Sequence, residues 1–270
     1  MNINVENLGF SYGEHQVLHD VGFTAHGGEL LSILGPNGVG KSTLLRCMLG
    51  LLKSYKGSIT IDGRDIKTLS VRENSRLIAY IPQTTTAAFN YSVADIVLMG
   101  TTSGLSTLSS PGKADIERAG WAMEKIGITK LRNRCFHHIS GGERQLCLIA
   151  RALVQSAPVL MFDEPTAALD FGNQIMVLTQ AKELAAEGYT VIQTTHNPEQ
   201  SYLFSDRIIA LKGGTVLANG SPGELMTKEL MSELYSVDIR VSSLYGDRAR
   251  VCIPEAFAAD DNTKYMEESK

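Results

Sequence analysis

The sequence predicts an α/β fold built around a phosphate-binding loop, with a small antiparallel β part at the N-terminus and a helical segment inserted in mid-chain. Three observations predict it. Gly35 to Ser42 reads GPNGVGKS and fits G-x-x-x-x-G-K-[ST] at every required position, between a strand-like run, Leu30 to Leu34, and a helix-like run, Ser42 to Leu52. Val159 to Phe162 is wholly apolar, the pattern of a strand buried in a parallel sheet, and it delivers Asp163 and Glu164 to its C-terminal end. Between Gln83 and Pro158 the strand pattern gives way to helical spacing, which places an insert at about residues 84–157.

Residues 2–8 and 21–25 read as strands, with FSYGEH as the turn between them. Lys56 to Ile61 reads as a short strand running into Asp62-Gly63, and Leu77 to Ile81 as another, stopped by Pro82. Val93 to Met99 is helix-like, and Thr101 to Lys113 is a loop rich in Ser, Thr and Gly. Ala114 to Ile126 is a helix with Gly127 as its C-cap, and Glu143 to Val154 is a helix entered through Ser140-Gly141-Gly142. After Pro158 come a helix, Gly172 to Ala186, and a strand, Thr190 to Thr195. A hairpin follows, Arg207 to Leu211 with Thr215 to Ala218, around Lys212-Gly213-Gly214. Residues 221–235 read as helical. From about Asp238 the pattern is mixed, and the polar run Asp260 to Lys270 is expected to be poorly ordered. The expected division is a main domain over 1–237, containing the insert, and a short extension over 238–270.

With 270 residues, 43% hydrophobic and 20% charged, the chain supports a packed core rather than disorder. A formal net charge of −4 offers no basic footprint for nucleic acid as a main partner. No apolar run approaches the length of a membrane span. MNINVENLGF has no basic segment followed by an apolar one, so no signal peptide is expected. Cys47, Cys135, Cys147 and Cys252 show no C-x-x-C spacing; Cys47 and Cys147 sit in apolar helix-like runs and read as core thiols of a reducing cytoplasm.

The chemistry expected of the loop follows from its residue types. Gly35, Gly38 and Gly40 let the backbone close around a phosphate chain, and backbone N–H groups with the following helix N-terminus face the anion. Lys41 can reach the β and γ phosphates, and Ser42 can offer its hydroxyl to Mg²⁺. Asn37 and Thr43, within and just after the motif, join the nucleotide-binding set. Asp163 and Glu164 alone could be two solvated acids. Beside a phosphate loop they read as a metal holder, Asp163, and a group that polarises the attacking water, Glu164.

Ile139-Ser140-Gly141-Gly142-Glu143-Arg144-Gln145 resembles the signature motif, usually written LSGGQ, of the nucleotide-binding subunits of ATP-binding cassette (ABC) transporters, and lies shortly before Asp163-Glu164 as it does there. Ile139 stands for the usual Leu and Glu143 for the usual Gln. Physically, Ser140, Gly141 and Gly142 make either a capped helix start or a second anion cradle. The resemblance implies that this cradle completes the site of a second copy in a head-to-tail homodimer. Four further positions match. Tyr12 in FSYG resembles the aromatic that stacks on adenine. Gln83 in YIPQ resembles the glutamine that contacts Mg²⁺ and the attacking water. Asp170 in AALD resembles the aspartate that bridges the subunits, and His196 in TTHNPEQ the switch histidine at the γ phosphate. Singly, each also fits an ordinary role: a core Tyr, a strand-end Gln, a capping Asp, a satisfied His. Covering residues 1 to about 235, the resemblance implies a P-loop NTPase of ABC type, with a RecA-like core, an N-terminal antiparallel β subdomain and an inserted helical subdomain. ATP is then the substrate. Lys41, Gln83, Glu164 and His196 act in catalysis, and Ser42, Gln83 and Asp163 hold Mg²⁺.

A narrower resemblance is carried by Phe89 to Gly100, FNYSVADIVLMG, and by Glu233 to Ile239, ELYSVDI, which are similar to importers of iron-siderophores, haem, vitamin B12 and, in some relatives, molybdate. It departs at Thr101 to Leu108, where relatives carry Arg and a short Pro/His-containing run. This resemblance implies uptake of a metal chelate through two separate integral-membrane permease subunits, fed by an extracytoplasmic binding protein, with the chain on the cytoplasmic face of the membrane. Phe89, Asn90 and Tyr91 are expected to line a groove for a short permease helix, and Ile96 and Met99 to pack inside the insert. An exporter or a soluble cassette ATPase is the alternative. The soluble class usually carries a long coiled coil or two cassettes in one chain, and neither pattern is present. A non-catalytic scaffold is disfavoured by Glu164, and a small-molecule kinase by the signature segment.

Overall fold

A computed structural model describes residues 1–83, 90–103 and 110–258. The chain opens with β1 (Ile3–Tyr12) and β2 (His15–Ala25), an antiparallel pair joined at Gly13-Glu14. Both strands run further toward the turn than the sequence pattern suggested, because FSY and HQVLH continue the ladder. β3 (Leu30–Leu34) then feeds the phosphate loop and α1 (Lys41–Met48). α1 stops short of Leu52 because Gly50 takes a φ of +68°, a left-handed turn that closes the helix. β4 (Lys56–Ile61) and the two-residue β5 (Arg64–Asp65) complete a four-stranded antiparallel sheet of order β2-β1-β4-β5.

A helix absent from the sequence expectation follows: α2 (Val71–Leu77), capped by Ser70 and Glu73 in a reciprocal box. β6 (Ile78–Ile81) leads to α3 (Val93–Leu98), α4 (Lys113–Lys125) and α5 (Gly141–Val154). Gly127, with a φ of +76°, ends α4 as expected. β7 (Val159–Asp163), α6 (Phe171–Ala186) and β8 (Thr190–Thr195) resume the alternation. α7 (Pro198–Phe204), started by the Asn197 cap and Pro198, was not expected. The hairpin of β9 (Arg207–Lys212) and β10 (Thr215–Gly220) turns at Gly213-Gly214 as expected. Residues 221–235 hold two helices, α8 (Pro222–Leu225) and α9 (Lys228–Tyr235), because Thr227 caps a new start. The region after Asp238 is a hairpin of β11 (Ile239–Leu244) and β12 (Ala249–Pro254), followed by α10 (Glu255–Ala258).

The larger sheet has the order β10-β9-β3-β8-β7-β6, and all its pairs are parallel except β9 with β10. Side chains alternate across it with a period of two. Leu160, Phe162 and Val191 face a core shared with α3, α4, α5 and α6. Val159, Met161 and Ile192 face a second core shared with α1 and the antiparallel sheet. Burial on both faces is why β3, β7 and β8 carry almost no exposed side chain.

The helices between β6 and β7 correct one packing expectation, that of Met99. Ile96 is buried as expected, whereas Met99 is 37% exposed. Tyr91 packs against the helical core rather than standing free, and Asn90 is exposed. Phe89, most of Thr101 to Leu108 and the tail Asp260 to Lys270 lie outside the described residues.

Cys47 and Cys147 are fully buried, as expected, and burial pushes each thiol up to about 12. Cys252 is pushed up to about 12 by burial and by Glu199. The thiolate is the reactive form. In the native protein at pH 8, a disulfide reagent should therefore label Cys135 first. The other three should react at least about tenfold more slowly until denaturant is added. Four equally fast thiols would contradict the packing.

Candidate active site

Three buried strands converge on the site. β3 ends in the phosphate loop, β7 in Asp163 and Glu164, and β8, which pairs with both, in Thr195 and His196. The loop is anchored to the sheet by Gly35 N–H, which donates to Thr195 O at 3.2 Å. Gly40, with a φ of +104°, forms the start of α1, and a Cβ there would press on Leu18 at 2.9 Å. No side chain caps α1, and no acid sits in its first turn, so its leading N–H groups face the cleft. That cleft, of about 460 Å³, is lined by Asn37, Gly38, Gly40, Lys41, Ser42, Thr43, Gln83 and Glu164.

Lys41 is only 4% exposed. Its Nζ donates to Gly35 O at 2.8 Å and to Pro36 O at 3.0 Å, and lies 3.2 Å from Glu164 Oε1. Two of its protons hold the loop curved while the third meets the carboxylate. The other oxygen of Glu164 is 3.3 Å from His196 Nδ1. Glu164 itself has a φ of +44°, a left-handed conformation rare outside glycine. Such strain at a strand end is the kind stored at functional sites, costing on the order of 1–3 kcal/mol.

Asp163 receives three hydroxyls. Ser42 Oγ donates to Oδ1 at 3.2 Å, Thr194 Oγ1 to the same oxygen at 2.8 Å, and Tyr80 OH to Oδ2 at 3.2 Å. Burial, together with Asp163, pushes the Tyr80 hydroxyl up to about 12, which keeps it a donor. Neither Tyr80 nor Thr194 stood out in the sequence. The one available signal was the polar run Gln193 to Thr195 following the apolar pair Val191-Ile192.

The remaining candidates lie apart from this cleft. Tyr12 is half exposed at the end of β1, its ring edge-on to Phe10 at 4.9 Å. Ser140 caps α5 in a reciprocal box with Glu143, and Asp170 caps α6 through Asn173 N at 2.9 Å. Asn173 Nδ2 also donates to Asp170 at 2.8 Å, and Gly142 packs directly on the Asn173 side chain. The signature segment and Asp170 therefore form one linked patch that does not line the cleft of its own chain.

A parallel sheet whose edge presents a glycine loop, a buried lysine and two adjacent carboxylates defines a P-loop nucleotide-binding protein. The ABC transporter family model matches residues 18–167, and the chain belongs to that family, whose ATP-binding proteins are ATPases. It is 36% identical to a probable iron chelatin transport ATP-binding protein of Helicobacter pylori over 88% of this chain and 94% of the other. It is 35% identical to a hemin import ATP-binding protein of Rhizobium johnstonii over 91% and 94%. A solved structure described as the inward-facing conformation of a metal-chelate type ABC transporter superposes with a TM-score of 0.83 at 32% identity, covering 94% of this chain and 98% of that one.

Replacing Gly142 tests the linked patch. An Ala in the first turn of a helix is ordinarily neutral or stabilising. Here its Cβ overlaps Asn173, so Gly142→Ala should destabilise the protein by about 1–3 kcal/mol in urea unfolding. A neutral or raised midpoint would show that α5 and α6 are not in contact there.

Proposed function

We propose that this chain is the ATP-binding, ATP-hydrolysing subunit of an importer for a metal chelate, such as an iron-siderophore, haem or cobalamin. The observation that carries the catalytic reading is the contact chain Lys41–Glu164–His196 beside Ser42 and Asp163. In this reading water attacks the γ phosphorus of ATP in line, the bond to the β–γ bridging oxygen breaks, and Glu164 polarises the water. Lys41 and the loop amides offset the phosphate charge, and His196 and Gln83 complete the enclosure. The hydroxyl of Ser42, the carboxylate of Asp163 and the amide of Gln83 are hard oxygen donors that suit Mg²⁺. No group of three or more His, Cys, Asp or Glu side chains is assembled for a metal among the described residues. Mg²⁺ held by those oxygen donors would offset phosphate charge.

The name of the Helicobacter relative, that of the Rhizobium relative and the metal-chelate neighbour support import of a chelate. Among the described residues no helix is long and apolar enough to cross a membrane. In this reading the channel is formed by two permease subunits. A groove of about 730 Å³ supports their docking. Leu51, Val71 and Met99 line it and are exposed, and Tyr80, three residues before Gln83, forms part of its wall. Its occupant is a short helix of a permease subunit. This groove, between α2 and α5, is a second candidate docking surface beside Phe89, Asn90 and Tyr91. An extracytoplasmic binding protein acts on the far side of the permease, and the chain works at the cytoplasmic face. Residues 1–237 form the ATPase unit and 238–270 the extension. The patch of Ser140, Gly141, Gly142 and Asp170 meets the phosphate loop of a second copy, head to tail. Its separation from its own cleft supports this, as does Phe171, 78% exposed next to Asp170. Tyr12 stacks on the adenine.

Glu164→Gln should keep ATP binding, lower turnover by about 10²-fold or more, and trap a dimer of doubled mass with ATP. Turnover within about threefold of wild type removes Glu164 from the role. Ser140→Arg and Lys41→Ala should each be inactive, and their mixture should recover activity from the one composite site that pairs an intact loop with an intact signature. Full activity in a strictly monomeric preparation contradicts the dimer. Leu51→Asp with Val71→Asp should leave the ATPase of the isolated chain unchanged but weaken assembly with the permease in detergent. Unimpaired assembly moves the docking surface elsewhere.

A further inference from the structure

Thr194 lies on β8 directly opposite Asp163 of β7 in the parallel register. It is fully buried, and its hydroxyl is used in both directions. It donates to Asp163 Oδ1 at 2.8 Å and accepts from the backbone N–H of Glu164 at 2.9 Å. One oxygen thus ties the side chain of the first carboxylate to the main chain of the second.

We infer that Thr194 is a positioning residue for both carboxylates, setting the rotation of the Asp163 carboxyl and the orientation of the peptide from which Glu164 departs. The inference rests on the roles proposed above for Asp163 and Glu164. Three features carry it. The β7–β8 ladder ends at the Asp163–Thr194 pair, so the next amide, that of Glu164, takes a side-chain acceptor instead of a strand carbonyl. Glu164 turns there into a left-handed conformation, which persists only where its surroundings hold it. Asp163 Oδ1 takes Thr194 and Ser42 together while Oδ2 takes Tyr80, so the plane of the carboxyl is pinned from three sides. Valine has the shape of threonine and suits a strand at least as well. The hydroxyl is therefore what distinguishes this position, and its loss leaves a donor at Glu164 without its acceptor and frees Asp163 to rotate.

The test compares Thr194→Val and Thr194→Ser with Asp163→Asn and Glu164→Gln as controls. Steady-state ATPase gives kcat and KM, and binding of a fluorescent ATP analogue is titrated with Mg²⁺. Thr194→Val should lower kcat by about tenfold or more while KM for ATP stays within about threefold. It should also raise the Mg²⁺ concentration for half-maximal nucleotide binding severalfold. Thr194→Ser, which keeps the hydroxyl, should return both readouts to within about threefold of wild type. Where valine does not give folded protein, Thr194→Ala is read on the same scales. Wild-type kcat and Mg²⁺ titration in the hydroxyl-free variant, or a serine variant as impaired as the valine one, overturns the inference while the controls remain inactive. Active controls overturn the reading of Asp163 and Glu164, and this inference with it.

Discussion

A lysine ammonium almost sealed from water has to find its partners inside the protein, and the partners of Lys41 organise everything around them. Two are carbonyls of its own loop, so satisfying the charge also bends the loop. The third is Glu164, at the end of a strand that is not a neighbour of the one carrying the loop. In the sheet, β8 runs between β3 and β7, and the ion pair closes over its end. The tip of β8 is accordingly built to serve both sides: the Thr195 carbonyl takes the amide of Gly35, and the Thr194 hydroxyl takes the amide of Glu164. Strand order, loop curvature and the placement of two carboxylates are one constraint satisfied together.

What could be read in advance follows from how local each requirement is. Phosphate binding demands glycines and a lysine at fixed offsets, so Gly35 to Ser42 was legible residue by residue. β3 and β7 were legible because strands buried on both faces have continuous apolar runs. α2 and α7 are seven residues each and carry little apolar periodicity; α2 was signalled only by the Ser70–Glu73 cap, and α7 only by Asn197-Pro198. Tyr80 and Thr194 meet Asp163 through the registers of three adjacent strands, information that no local pattern holds. Met99 looked like a core residue because its spacing matched the helix, but α3 ends at Leu98 and the next turn leaves Met99 at the groove.

The C-terminal hairpin bears directly on the histidine side of the site. The Cys252 amide donates to Glu199, and the Tyr202 hydroxyl donates to the Asp247 carbonyl, so α7 is gripped from β12 and from the β11–β12 turn. Tyr235, at the end of α9, donates its hydroxyl to the carbonyl of His196 at 2.9 Å. On the other flank of α7, the Thr166 hydroxyl donates to Gln200, whose amide donates to Gln174, in a chain of side-chain hydrogen bonds. The segment following His196 is therefore braced both from the extension and from α6.

The sheet order also bears on how the protein is made. β3 emerges early in synthesis, yet both of its neighbours, β8 and β9, come from more than 150 residues downstream. Until β7 has left the ribosome Lys41 lacks Glu164, until β8 has followed Gly35 lacks the Thr195 carbonyl and β3 has two open edges, and one edge stays open until β9 emerges. A nascent or truncated chain thus carries the whole phosphate-loop sequence without a phosphate loop. ATP binding becomes a property of a chain extended past β8, and fragments that end before β8 have no shaped site with which to sequester nucleotide.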